Sequence, residues 1–183
     1  MKKIEAQEAD LIFPGDWFGD YTSEVVLVDE KVEVEAFEDG PDEFVIFNKG
    51  LNPKKIDLSN NHRSIYAVSG EVETGTMVLG DSVFVIDGVL TVNEWLFLPA
   101  TNGIFQVNGE QFDNQNEAVF KHVICPLVVA FDRLNREFSV YKNVNNDYIK
   151  VTTEELTDAV LDDGEINGAR VLEHLQARKS IFK

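Results

Sequence analysis

Residues 82–110, SVFVIDGVLTVNEWLFLPATNGIFQVNGE, decide how this chain is read. Two short β-type runs, 83–86 (VFVI) and 89–92 (VLTV), are separated by Asp87-Gly88. Asp-Gly suits a type I′ turn, in which both central residues need φ > 0. A third apolar run, 95–98, is closed by Pro99, which cannot donate to a ladder. A fourth, 104–107, is closed by Asn108-Gly109. The spacing predicts four short antiparallel strands.

Upstream, EVVLV, Asp29-Glu30 and KVEVEAF read as a hairpin. Its second arm alternates Val32, Val34 and Ala36 with Glu33 and Glu35, so period two places valines inside and glutamates in water. Further strands are expected at 43–47, 64–68 and 76–79. Downstream, residues 111–117 read as a polar loop, and 118–131 is an apolar run interrupted by Pro126, which points to a strand end or edge. Strands at 136–141 and 147–151 complete a body of about ten strands, with no repeat of fixed period.

The pattern changes at Thr152. Thr152 and Glu155 fit a capping box, Leu156, Val160 and Leu161 share a helical face, and Asp162-Asp163-Gly164 would end that helix. Residues 165–179 read as a second helix, with Ile166, Ala169, Leu172 and Leu175 at intervals of three. The expected fold is therefore mainly β, an antiparallel jelly-roll-like sandwich or barrel with a C-terminal two-helix appendage. Residues 1–151 form the β domain, 1–23 being an aromatic N-terminal arm, and 152–183 form the appendage.

Within the β folds, two stretches resemble motifs of the cupin (RmlC-like jelly-roll) superfamily. HRSIYAVSGEVE (62–73) is similar to the first motif and EWLFLPATNGIF (94–105) to the second. The family's metal shell resembles three histidines and a carboxylate. Here only His62 stands in the first motif, Ser64 occupies the place of a second histidine, and Asn102-Gly103 replace the third. One imidazole does not hold a catalytic metal that needs three protein ligands, so no cofactor and no metal is expected. The resemblance implies a small-molecule binder or metal-independent isomerase whose barrel mouth holds His62, Tyr66, Trp95 and Phe105.

Charge bounds the partners. The chain carries 33 acids against 16 bases, a formal charge of −17, and residues 1–50 hold 14 acids against 4 bases. Such a field repels nucleic acid and anionic membranes and attracts basic surfaces. No apolar run is long enough to span a bilayer, and Cys125 is the only cysteine, so a cytoplasmic (or virion) location is expected. His122 and Cys125 are three apart in a β context, on opposite faces, which does not make a nucleophile pair. No phosphate loop, Gly-x-Ser-x-Gly or paired CxxC is present, so the sequence supplies no catalytic motif.

The leading expectation is a non-enzymatic structural or protein-interaction module that works in an assembly, more narrowly a phage or viral structural or accessory protein. Phe13, Trp17, Phe18 and Tyr21 of the arm, with Glu33, Glu35, Glu38 and Asp39, are its expected contact residues, toward a basic protein surface or a second copy. The alternative is an acidic inhibitor that imitates a nucleic-acid backbone and blocks a DNA- or RNA-binding protein.

Overall fold

Five eight-residue segments of the chain carry one pattern: VVLVDEKV (25–32), FVIFNKGL (44–51), IYAVSGEV (65–72), VFVIDGVL (83–90) and IFQVNGEQ (104–111). Each begins with an apolar run, broken only by Gln106, and continues into a polar corner. An unbroken apolar run suits a strand covered on both faces, as strands of parallel sheets are. A unit repeated at about 20 residues, unable to bury its apolar face alone, suits a stacked solenoid.

The computed structural model, which describes residues 1–19, 21–60, 62–99, 102–111 and 122–183, is that solenoid. The chain opens with β1 (Lys2–Glu5) and α1 (Ala6–Ile12) and then winds through about four coils. Each coil passes one strand to a first sheet and the next to a second. The strands are β2 (Glu24–Val28), β3 (Val32–Glu38), β4 (Phe44–Phe47), β5 (Leu51–Asp57), β6 (Ile65–Ser69), β7 (Val72–Val78), β8 (Val83–Asp87), β9 (Leu90–Leu98) and β10 (Ile104–Val107). Even-numbered strands stack in parallel in the first sheet, which β1 closes on one side and the two-residue β11 (Glu110–Gln111) on the other. Val26 pairs with Val45, Phe44 with Ile65, Ile65 with Val83, and Val83 with Ile104.

In the second sheet β3, β5, β7 and β9 stack in parallel, joined by β12 (Val123–Ile124) and β13 (Leu127–Asp132). An antiparallel meander, β14 (Glu137–Val144) and β15 (Asp147–Lys150), extends it. These registers overturn the antiparallel jelly-roll-like sandwich or barrel, and with it the cupin resemblance. The expected absence of a repeat is corrected by the same five segments. The loop at 112–117 and the start of the apolar run at 118–121 lie outside the described residues.

The physical reason for the misreading sits at Asp87-Gly88. β8 and β9 do not pair with one another; the corner carries the chain from one sheet to the other. Its glycine is required by proximity, because a Cβ there would stand 1.9 Å from the Gly70 carbonyl oxygen of the coil beneath. Asn108-Gly109, by contrast, has φ of 51° and 76° and does join an antiparallel pair, β10 and β11. The Asn108 side chain also accepts from the Gly88 N–H at 2.8 Å and donates to its carbonyl at 2.7 Å, tying successive corners.

Three apolar layers result. Between the sheets, Val28, Phe47, Val68, Ile86 and Val107 form one inward ladder, and Leu51, Val72 and Leu90 another. The N-terminal arm covers the outer face of the first sheet, where Ala9, Phe13 and Phe18 pack with Ile46, Ala67 and Val85. The C-terminal segment covers the outer face of the second, where Leu156, Val160, Val171 and Leu175 meet Phe97, Val129 and Val140.

That segment corrects the two-helix appendage. Glu155 accepts from the Thr152 N–H at 3.1 Å, but the turn it closes is 3₁₀ (Thr153–Glu155), because Leu156 leaves in an extended conformation and bridges Phe182. Asp163-Gly164, φ 50° and 87°, joins the hairpin β16 (Leu161–Asp162) and β17 (Glu165–Ile166), and only α2 (Gly168–Gln176) is α-helical. Gly168 lies against the Phe138 ring, where a Cβ would come within 2.2 Å. Among the described residues no helix is long and apolar enough to cross a membrane.

Candidate interaction surface

Solenoids must end somewhere, and an end leaves both a row of unpaired backbone groups and the tip of the apolar interior. In the first sheet β1 pairs along β2 and covers that edge. In the second sheet β3 pairs with β5 on one side, and among the described residues no strand lies on its other side. The Val32 N–H points toward Gly50 at the start of β5, so the alternation of the strand turns the Glu33 N–H to the free edge. Between β2 and β3 opens a groove of about 990 Å³. Val26, Val28, Val32, Phe37, Val45 and Phe47 are among the residues lining it, and Val34 on the same edge is 41% exposed. Phe37 is held edge-on to Phe47 and Tyr66, with centroids 5.5 and 5.0 Å away.

The charge of this end is specific to it. Residues 24–43, the first coil, hold nine acids (Glu24, Asp29, Glu30, Glu33, Glu35, Glu38, Asp39, Asp42 and Glu43) against Lys31 alone, or −8. Residues 44–64, the second coil, hold Lys49, Lys54, Lys55 and Arg63 against Asp57, or +3. The two coils are stapled by this difference: Lys54 Nζ lies 2.7 Å from Glu35 Oε1 and Lys49 Nζ 3.5 Å from Asp29 Oδ1. Both pairs are exposed and screened by solvent, so each contributes little and can be exchanged. The hydrogen bond from Asn48, with Lys49 alongside, holds the Asp29 carboxyl below the ordinary range.

The far corner of the first coil is fixed by a polar network. Tyr66 Oη donates to Glu43 Oε2 at 2.7 Å and accepts from the Gly40 N–H at 3.2 Å. Ser64 Oγ donates to the Gly40 carbonyl at 2.6 Å and accepts from the Glu43 N–H at 2.9 Å. Burial, helped by the bond to Glu43, raises the Tyr66 hydroxyl well above its usual pKa. Asp39, only 5% exposed, accepts from the Asn60 N–H at 3.4 Å and lies 3.2 Å from Ser82 Oγ. Thus Glu33, Glu35 and Glu38 face solvent, whereas Asp39 is a corner residue inside this network.

The structure does not gather the other singled-out residues. Phe13 and Phe18 are buried in the outer layer of the first sheet, Trp17 is half-buried and Tyr21 is 70% exposed. The arm is held by Asp10, whose carboxylate accepts from the N–H groups of Phe18 and Gly19 at 3.1 and 3.2 Å. Tyr66 and Phe105 point into the solenoid interior, Trp95 to the outer face under the C-terminal segment, and His62 sits half-buried in a corner loop. His62, Tyr66, Trp95 and Phe105 therefore share no cavity. Among the described residues no three His, Cys, Asp or Glu side chains are grouped to hold a metal. The sequence hides the free edge of β3 because the hairpin reading pairs β3 with β2, whereas its one partner among the described residues is β5.

No family model, curated protein or solved structure matches this chain.

Cys125 is 1% exposed, and its Sγ donates to the Leu127 carbonyl at 3.0 Å. Burial pushes the thiol from an ordinary 9.0 up to about 12. In the unfolded chain the thiol loses its proton first as pH rises, so its contribution to stability is full below pH 9.0 and drains away toward about 12. Tyr66 and Tyr148, also raised by burial, add to the same slope. Urea midpoints are expected to fall steadily above about pH 9, and Cys125 to stay unreactive toward a thiol reagent until denaturant is added. A flat midpoint through that range would contradict the burial of these groups.

Proposed function

We propose that this protein is a non-enzymatic interaction module that works in an assembly, docking another chain on the open end of its solenoid. One observation carries the reading: among the described residues no strand covers one edge of β3, which lies beside a groove of about 990 Å³ into the apolar interior, while β1 covers the matching edge of the first sheet. Natural sheets blunt such edges with charge, and here glutamates alternate along the strand without removing the apolar groove. Strand addition to an exposed edge is a common way for one protein to hold another.

The test places lysines in the groove wall with Val34→Lys/Ala36→Lys. Both residues are exposed, so the fold should survive. Native mass spectrometry and sedimentation of the protein co-purified from its own cell should show a larger species with the parent chain and a lone chain with the variant. A complex that persists unchanged in the variant would move the function elsewhere.

The first coil's charge of −8 favours a second reading, an acidic inhibitor that occupies the nucleic-acid site of a DNA- or RNA-binding protein. The two differ in salt dependence. Mimicry of phosphates should vanish by a few hundred millimolar salt, whereas backbone pairing and apolar burial should persist.

A further inference from the structure

The open end, accepted as a docking surface, carries a second inference that rests on that reading: what kind of segment it takes. We propose that the occupant is an extended stretch of a partner protein, about seven residues long, that adds to the free edge of β3 with apolar residues facing the groove and lysines or arginines facing out.

The chain contains its own template for such a strand. β5 pairs with the other edge of β3, matching Val32 with Leu51, Val34 with Pro53 and Phe37 with Ile56. Leu51, Pro53 and Ile56 are buried, and Lys54 reaches out to Glu35 at 2.7 Å. A strand that satisfies β3 from one side is thus apolar inward, while outward it sets Lys54 beside Glu35 but only Asn52 opposite Glu33 and Asp57 opposite Glu38, so most of the glutamate charge stays unmatched. The second edge presents the same side-chain rows, Val32, Val34 and Phe37 inward and Glu33, Glu35 and Glu38 outward, so it selects apolar residues inward, and the three glutamates favour bases outward. Among the described residues Glu30, Glu38 and Asp42 form neither an ion pair nor a side-chain hydrogen bond, and Glu33 has only Lys31 at 3.9 Å. Negative charge is therefore left over beside the groove.

The same charges argue against a second copy of this chain. Antiparallel pairing of β3 with itself would set glutamates of one copy against glutamates of the other, and like charges directly opposite are destabilising. Two first coils at −8 each would meet. A basic segment meets the opposite balance, and charge complementarity also speeds encounter.

The probe is a fluorescently labelled synthetic seven-residue peptide between Gly-Ser ends, with valine at the first, third and sixth positions as in Leu51, Pro53 and Ile56 and lysine elsewhere, read by anisotropy, and its control carries glutamate in place of lysine. The lysine peptide should bind the parent protein and the glutamate peptide should not. Glu33→Lys/Glu35→Lys should weaken the lysine peptide by about tenfold and reverse the preference between the two. Glu33→Pro removes the outward N–H as well as the charge, while Glu33→Gln removes the charge alone. Proline is tolerated on an edge strand with its nitrogen to solvent, and circular dichroism checks the fold. Binding should be lost in Glu33→Pro and largely kept in Glu33→Gln, and hydrogen exchange should show new protection within Val32–Glu38. Should Glu33→Pro unfold, the reversal of preference carries the test. Lysine-peptide binding indifferent to both the proline and the charge reversal would overturn the inference, reducing it to general attraction. No peptide binding, together with a dimer that Glu33→Pro abolishes, would also overturn it, while leaving the open end as the working surface.

Discussion

Replacing Gly80 by alanine should cost the fold about 3 kcal/mol or more, an unusually large effect for adding one methyl group. A Cβ at this position would stand 1.8 Å from the Leu58 carbonyl oxygen of the neighbouring coil, well inside any van der Waals contact. The obstacle is backbone, so no side chain can swing away. Gly103 stands against Gly80 in the same manner, its Cβ position 2.0 Å from the Gly80 carbonyl oxygen, so the two form a column through which the coils approach. Displacing one coil disturbs those stacked on it. Gly164→Asn is the matched control. Gly164 has φ +87°, but nothing lies within 4 Å of its Cβ position, and asparagine tolerates such a φ, so about 1 kcal/mol or less is expected. Urea unfolding of the two variants separates proximity from conformation. Equal costs would mean that the coils are not in close contact at Gly80.

The second large effect is Leu96→Ala. Leu96 is fully buried between the sheets and pairs with Met77 on one side and Val128 on the other. Truncation leaves a cavity where the last complete coil meets the meander, at an expected cost of about 2–5 kcal/mol. Leu134, 67% exposed in the turn after β13, should change stability by less than about 0.5 kcal/mol when truncated. Since native stability is commonly about 5–15 kcal/mol, Leu96→Ala alone should shift the urea midpoint strongly. A small effect would mean that the interior collapses easily around the gap.

Strand positions were legible in the sequence, and strand partners were not. VFVI and IFQV read as β-type from composition, but composition is silent on which run pairs with which. The deciding clue was that FVIF, IYAV and VFVI are unbroken, whereas a two-faced antiparallel strand alternates. VEVEAF alternates more openly, and it is the strand on the rim of the stack. Asp87-Gly88 misled because a glycine after aspartate serves two purposes, a positive φ or a close approach, and one dipeptide cannot say which. The C-terminal segment misled for a different reason. Thr152 and Glu155 supply real helix-start chemistry, but the outer face of the second sheet draws Leu156 and Val160 into extended and 3₁₀ backbone instead. Of the expected contact residues, the exposure of Glu33 and Glu35 follows from period two, whereas Glu38 is exposed because the alternation breaks at Ala36 and Phe37 turns inward. The burial of Asp39 depends on Ser82 and Asn60, which reach it from later coils and could not be foreseen by local reading.

The near-constant step from one corner to the next makes the molecule a graduated object. Inserting or deleting one unit of 18–21 residues changes its height by a single strand spacing, about 4.8 Å, while the girth and both outer coverings stay as they are. Such a scaffold can be lengthened in increments without redesign, its two extremities carried apart like marks on a ruler.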